Sequence, residues 1–130
     1  MRDQLITLLK ALTLGTFRVS TELPYSNSGT ALYVKNTKSI YVDNPQQETG
    51  NFLQTLAGCN IDQTVTTIQV YFTSDAKQLP SNYASLVTSI RALKDATAFA
   101  DNNVRECTVS TEYLNDNMLT EFEFRFTKIS

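Results

Sequence analysis

Leu5, Leu8, Leu9 and Leu12 fall at the i, i+3, i+4, i+7 spacing of one apolar helix face. The spacing predicts an N-terminal helix, and Gly15 stands where a left-handed cap would end it. The period then changes to two. Phe17, Val19, Thr21 and Leu23 alternate with Arg18, Ser20 and Glu22, the pattern of a half-buried strand that Pro24 stops. Residues 24–30 read Pro-Tyr-Ser-Asn-Ser-Gly-Thr, a turn-rich loop. Two short alternating runs follow, Ala31–Lys35 and Ser39–Asp43, with Asn36-Thr37-Lys38 between them. They predict a β-hairpin.

From Asn44 to Gln63 the pattern breaks down. The stretch opens Asn-Pro-Gln-Gln-Glu-Thr-Gly and holds one apolar cluster, Phe52, Leu53 and Leu56. A connection of about 20 residues without regular structure is uncommon in a compact domain and is often functional. A strand or a short turn of helix within it is the other reading. Thr64–Thr73 is the clearest strand, dense in β-branched and aromatic residues, with Ile68, Val70 and Phe72 on one face. Pro80-Ser81-Asn82 opens a second helix with capping residues. Tyr83, Leu86, Val87, Ile90, Leu93 and Thr97 line its inner face through about residue 99, with Ser85, Arg91 and Asp95 opposite. Residues 104–113 place Cys107, Val109, Thr111 and Tyr113 on one face, and Asn115-Asp116-Asn117 makes a turn. Phe122, Phe124 and Phe126 then alternate with Glu121, Glu123 and Arg125 in a half-buried last strand. The order predicts an α+β fold, a mostly antiparallel sheet with two helices packed on one face.

At 130 residues the chain holds one domain, 1–130, with one core. Its net charge of −2 provides no dense basic face, which disfavours nucleic-acid binding by counterion release. The N-terminus Met1-Arg2-Asp3-Gln4 suggests no signal peptide, and the apolar run Leu5–Leu14 is broken by Thr7, Lys10 and Thr13 and is too short to span a bilayer. Cys59 and Cys107 have no metal-ligand spacing and are expected to be reduced, in a cytoplasmic setting.

The chemistry is sparse. Histidine is absent, which removes the commonest general base and metal ligand together. No Walker loop, dinucleotide fingerprint or paired-cysteine motif occurs. No catalytic residue, metal ligand or cofactor site is expected. Glu121 and Glu123 share a strand face and could form an acid/base pair; solvated charges that oppose strand aggregation are the simpler reading. Tyr25 and Tyr33 lie in or beside the first loop, Tyr41 on the polar side of its strand, and Tyr71 opposite the Ile68/Val70/Phe72 face. Each suits an ordinary amphipathic strand. Tyrosine also buries large area behind a polar tip, which favours protein interfaces. Tyr41, Phe52, Leu53, Leu56 and Tyr71 are the candidate protein-interface residues.

The sequence of elements resembles the tail terminator proteins of long-tailed, lambda-like bacteriophages. The residues that carry the likeness are the amphipathic first helix, the polar segment Ala31–Gln63 and the strand Thr66-Thr67-Ile68-Gln69-Val70-Tyr71-Phe72. The helix after Pro-Ser-Asn and the aromatic-alternating strand Thr120–Thr127 complete it. Related head–tail joining proteins share much of this arrangement. The resemblance implies a non-enzymatic virion protein of the tail or neck, assembled in the host cytoplasm. It would form a homo-hexameric ring on the tail tube protein, stop tube growth and meet the head–tail connector protein. A small ligand-binding or regulatory α+β module, with its ligand under the sheet, is the alternative; a hydrolase using carboxylates alone is a third reading.

Overall fold

Helix α1 spans Arg2–Ala11 and buries Leu5, Ile6 and Leu9, with Leu8 and Leu12 half-buried beside them. Asp3 in its first turn and Lys10 in its last suit the helix dipole. Leu12 is already extended (φ −76°, ψ 150°), and its N–H donates to the Leu9 carbonyl. The helix therefore ends before Gly15. The computed structural model describes residues 1–12, 18–20, 39–54, 60–75, 83–114 and 117–129, so Gly15 lies outside the described residues.

Six strands follow: β1 (Arg18–Ser20), β2 (Ser39–Val42), β3 (Gln46–Gln54), β4 (Asn60–Asp75), β5 (Val104–Leu114) and β6 (Asn117–Ile129). They form one sheet in the order β1-β2-β4-β6-β5, with β3 also paired to β4. Only the β1–β2 pair is parallel. The hairpin expected between 31–35 and 39–43 is not how β2 is paired. Residues 31–35 lie outside the described set, and β2 has β1 on one edge and β4 on the other.

The described residues of the segment 44–63 take the strand alternative, and 55–59 lie outside the described set. β2 and β3 run consecutively along one edge of β4, Val42 facing Val70 and Gln46 facing Thr67. The β2–β3 side gains one residue on β4 across 43–45, where Pro45 has no N–H to give the ladder. The Asp43 N–H still reaches the Gln69 carbonyl at 2.8 Å. A second extra residue, Phe52, makes a bulge between the pairs Asn51/Asp62 and Leu53/Ile61.

Opposed residues in an antiparallel ladder share a face, so the register sets out the core. Ile40 and Val42 of β2, Ile68, Val70 and Phe72 of β4, and Phe122, Phe124 and Phe126 of β6 are buried on one face. Cys107 and Val109 of β5 extend it. Both helices cover this face. Helix α2 (Tyr83–Ala92) buries Leu86 and Ile90 and sets the Tyr83 ring edge-on to Phe72, centroids 6.0 Å apart. Tyr83 Oη also lies 2.9 Å from Thr120 Oγ1, which gives that buried hydroxyl a partner. Phe72 stacks on Phe122 and Phe99 on Phe126. At the other end of the layer, Arg2 donates through Nε and Nη2 to the Val42 carbonyl at 3.2 and 2.9 Å, tying α1 to the end of β2.

The expected helix to residue 99 is corrected: α2 stops at Ala92 and continues as two 3-10 turns, Leu93–Asp95 and Thr97–Phe99. The tighter three-residue period brings Leu93, Ala96 and Phe99 inward and leaves Thr97 exposed. Pro80-Ser81-Asn82, the expected opening of this helix, lies outside the described residues. In the last hairpin Leu114 faces Asn117, so Asn117 begins β6 rather than ending the turn. The α+β reading with two helices on one sheet face holds.

Candidate functional site

The second face of the sheet carries the tyrosines. Tyr41, Tyr71, Glu121 and Ser110 form one row across β2, β4, β6 and β5. Gln69, Glu123 and Thr108 make the next row, then Thr67, Arg125 and Glu106. The row on the other side is Thr73, Leu119 and Glu112.

Tyr41 requires a correction. It is only 7% exposed, and Thr73 and Leu119 beside its row are buried as well. This end of the second face is interior, so Tyr41 is a packing residue and not an open contact. Alternation places a residue on a face; it does not say whether that face is covered. Tyr71 keeps partial access, and its hydroxyl donates to Gln69 Oε1 within the same strand.

The carboxylates lie on the open part of this face. Glu121 is half-buried, and its carboxyl is raised above the usual carboxylate range by burial first, then by Glu123 and Glu112. Glu123 and Arg125 are exposed, and Arg125 faces Glu106 across the β5–β6 ladder. A row of charges on an open sheet suits solvation better than enclosed acid/base chemistry. Among the described residues no three His, Cys, Asp or Glu side chains converge on a metal position. The Cys107 thiol is free and buried, and burial pushes it up to about 11 despite Arg91 and Lys94 nearby. Cys59 lies outside the described residues.

Two open depressions are lined by described residues of the helices. One of about 280 Å³ lies between α1 and the second 3-10 turn, lined by Asp3, Gln4, Thr7, Leu8 and Ala98. The other, about 350 Å³, lies over Ala84, Ser85, Thr88 and Ser89 of α2.

Residues 46–54 and 60–67 form a two-stranded arm of β3 and the first half of β4. Residues 44–50 are exposed. A Cβ added at Gly50 would meet nothing within 4 Å, so the strand is open there. Polar cross-strand pairs hold the arm: Gln47 Nε2 donates to Thr66 Oγ1 at 3.2 Å, and the Thr49 and Thr64 hydroxyls lie 3.4 Å apart. Phe52 is the bulge residue near its far end, Leu53 faces Ile61, and Leu56 lies outside the described residues.

The candidate residues therefore do not form one patch. Tyr71 and the Leu53/Ile61 pair are ten positions apart along β4, about 33 Å at the usual rise per residue. Two exposed apolar residues stand outside the candidate interface set. Val104 and Tyr113, at the two ends of β5, are 43% and 68% exposed. Tyr113 shares the Cys107 face by parity but is exposed. No protein-family model matches the chain, and no characterised protein matches it in sequence.

Proposed function

We propose that this chain is a structural assembly protein of the tail-terminator kind, forming a six-membered ring that caps a phage tail tube, stops its growth and meets the head connector. The supporting observation is the β3–β4 arm. It continues the longest strand of the sheet, its exposed residues are polar, and it carries a bulge at Phe52. Bulges are common where an edge is re-aimed for a purpose. The arm is anchored in the central strand, so contact at its tip would be held at a fixed angle to the core.

A closed ring needs two different patches on each subunit. The arm and the part of the second sheet face around Tyr71 are two such patches, far apart on the molecule. The arm of one subunit would rest on the neighbour or on the tube. The contact should bury on the order of 1,000 Å² or more to be specific.

Changing Phe52 and Leu56 together to Ser tests this reading. The expected result is a chain that keeps its far-ultraviolet dichroism and its cooperative unfolding but no longer assembles onto tail tubes. Assembly that survives the double change would contradict it.

A further inference from the structure

Three described strands border the sheet, and two of them carry features that blunt an edge. β1 is three residues long. β3 is entered through Pro45, contains Gly50 and is bulged at Phe52. β5 differs from both. It runs eleven residues without Pro or Gly, in unbroken register with β6 from Val104/Thr127 to Leu114/Asn117. Among the described residues no strand pairs with its outer side. Every second residue of such a strand turns its N–H and C=O outward. Thr108, Ser110, Thr111, Glu112 and Tyr113 are exposed although they alternate between the two faces, so the margin is open above and below.

We propose that the outer edge of β5 pairs antiparallel with β5 of a second copy of this chain, making one continuous sheet about a two-fold axis at Thr108. Unsatisfied strand-edge groups select another extended strand, and the β5 sequence fits itself. A two-fold axis that joins the same edge of two sheets stands perpendicular to them. It keeps both pairs of helices on one side, so opposed residues must come from the same face. That leaves few registers.

An axis at Val109 pairs the whole strand but sets Glu106 against Glu112 at both symmetric positions, which is destabilising. An axis at Cys107 shortens the ladder to residues 104–110, and one at Ser110 leaves Val104 and Arg105 without a partner. The axis at Thr108 pairs Val104 through Glu112, leaves only Tyr113 and Leu114 outside, and sets no two like charges directly opposite, with Glu106 and Glu112 of the second copy one diagonal apart. Glu106 meets Ser110, Arg105 meets Thr111, and Glu112 meets Val104. Arg105 then lies diagonal to the exposed Tyr113 ring of the second copy, within reach of a cation–π contact. The contact is isologous and closes at two copies, so it cannot itself build a ring. It stands or falls separately from the assembly reading.

Sedimentation of the unsubstituted chain at tens of micromolar should give twice the 14.6 kDa of one copy. Thr108→Cys and Glu112→Cys, each with Cys59→Ser, then test the register under mild oxidation. Directly opposed strand residues have Cα atoms about 4.5–5.5 Å apart, within disulfide range. Thr108→Cys should therefore crosslink to near completion. Two copies of residue 112 would be displaced by eight positions, about 27 Å along the strand, and Glu112→Cys should stay uncrosslinked. A monomer at that concentration would overturn the proposal. So would a dimer in which Thr108→Cys fails to crosslink, or equal crosslinking of both variants.

Discussion

The two halves of β4 are paired alike and buried differently. From Gln63 to Thr67 the strand lies between β3 and β6; from Val70 to Phe72 it lies between β2 and β6. Its backbone is bonded on both edges in each half. In the second half Ile68, Val70 and Phe72 are fully buried beneath the helices, while in the first half Ile61, Gln63, Thr64 and Val65 are half-buried and, among its described residues, only Thr66 is buried. β-Branched residues and two paired edges are enough to make a strand. A core also needs apolar residues at every second position and something laid over them. The first half has threonines there instead, and residues 44–50 of the arm stay exposed.

Substitutions on either side of this divide should differ most where the helices end. Phe124→Ala removes a fully buried ring that faces Ile68 and stacks near Phe126. It should cost about 3–5 kcal/mol of unfolding free energy. Thr64→Ala in the arm loses one exposed hydroxyl contact and should change stability by less than about 0.5 kcal/mol. Urea unfolding of both variants measures the gap, and equal losses would break the comparison.

Tyr83→Phe probes the join between α2 and the sheet. It keeps the ring against Phe72 but strands the fully buried Thr120 hydroxyl. A loss of about 1–2 kcal/mol in the same assay is expected. Thr120→Val added to Tyr83→Phe should recover part of that loss, because no hydroxyl is then left unpaired.

The smallest effect belongs to the open face. The Glu121 carboxyl is raised in the fold, so its ionisation opposes folding. With a raised folded pKa, its favourable contribution is complete below the unfolded value of 4.5 and is lost as pH rises through the folded value. Glu121→Gln should therefore raise the denaturation midpoint at pH 7, and the difference should vanish below pH 4.5. A variant less stable than the parent at pH 7 would show that the carboxylate is favourably engaged.

The same divide explains what could be read from the chain before its fold was known. Alternation of Phe122, Phe124 and Phe126, and of Ile68, Val70 and Phe72, gave strands and faces directly, because burial is what selects those residues. β3 was hidden because Gln-Gln-Glu-Thr-Gly-Asn has no apolar alternation; its ladder rests on the partner strand and on polar pairs such as Gln47–Thr66. The end of α2 was misread at Thr97 because a 3-10 turn changes the period locally. Of the candidate interface, the sheet face of Tyr71 could be placed, whereas the bulge at Phe52 and the burial of Tyr41 could not. That burial depends on packing distant in sequence, to which strand periodicity is blind.

Imaging the assembled particle tests the assembly reading most directly. Reconstruction of a tail carrying this chain should show six copies in one closed ring at the end of the tube, with residues 46–54 of each copy at a contact with a neighbour or the tube. A particle without such a ring, or a ring in which residues 46–54 face only solvent, would contradict it.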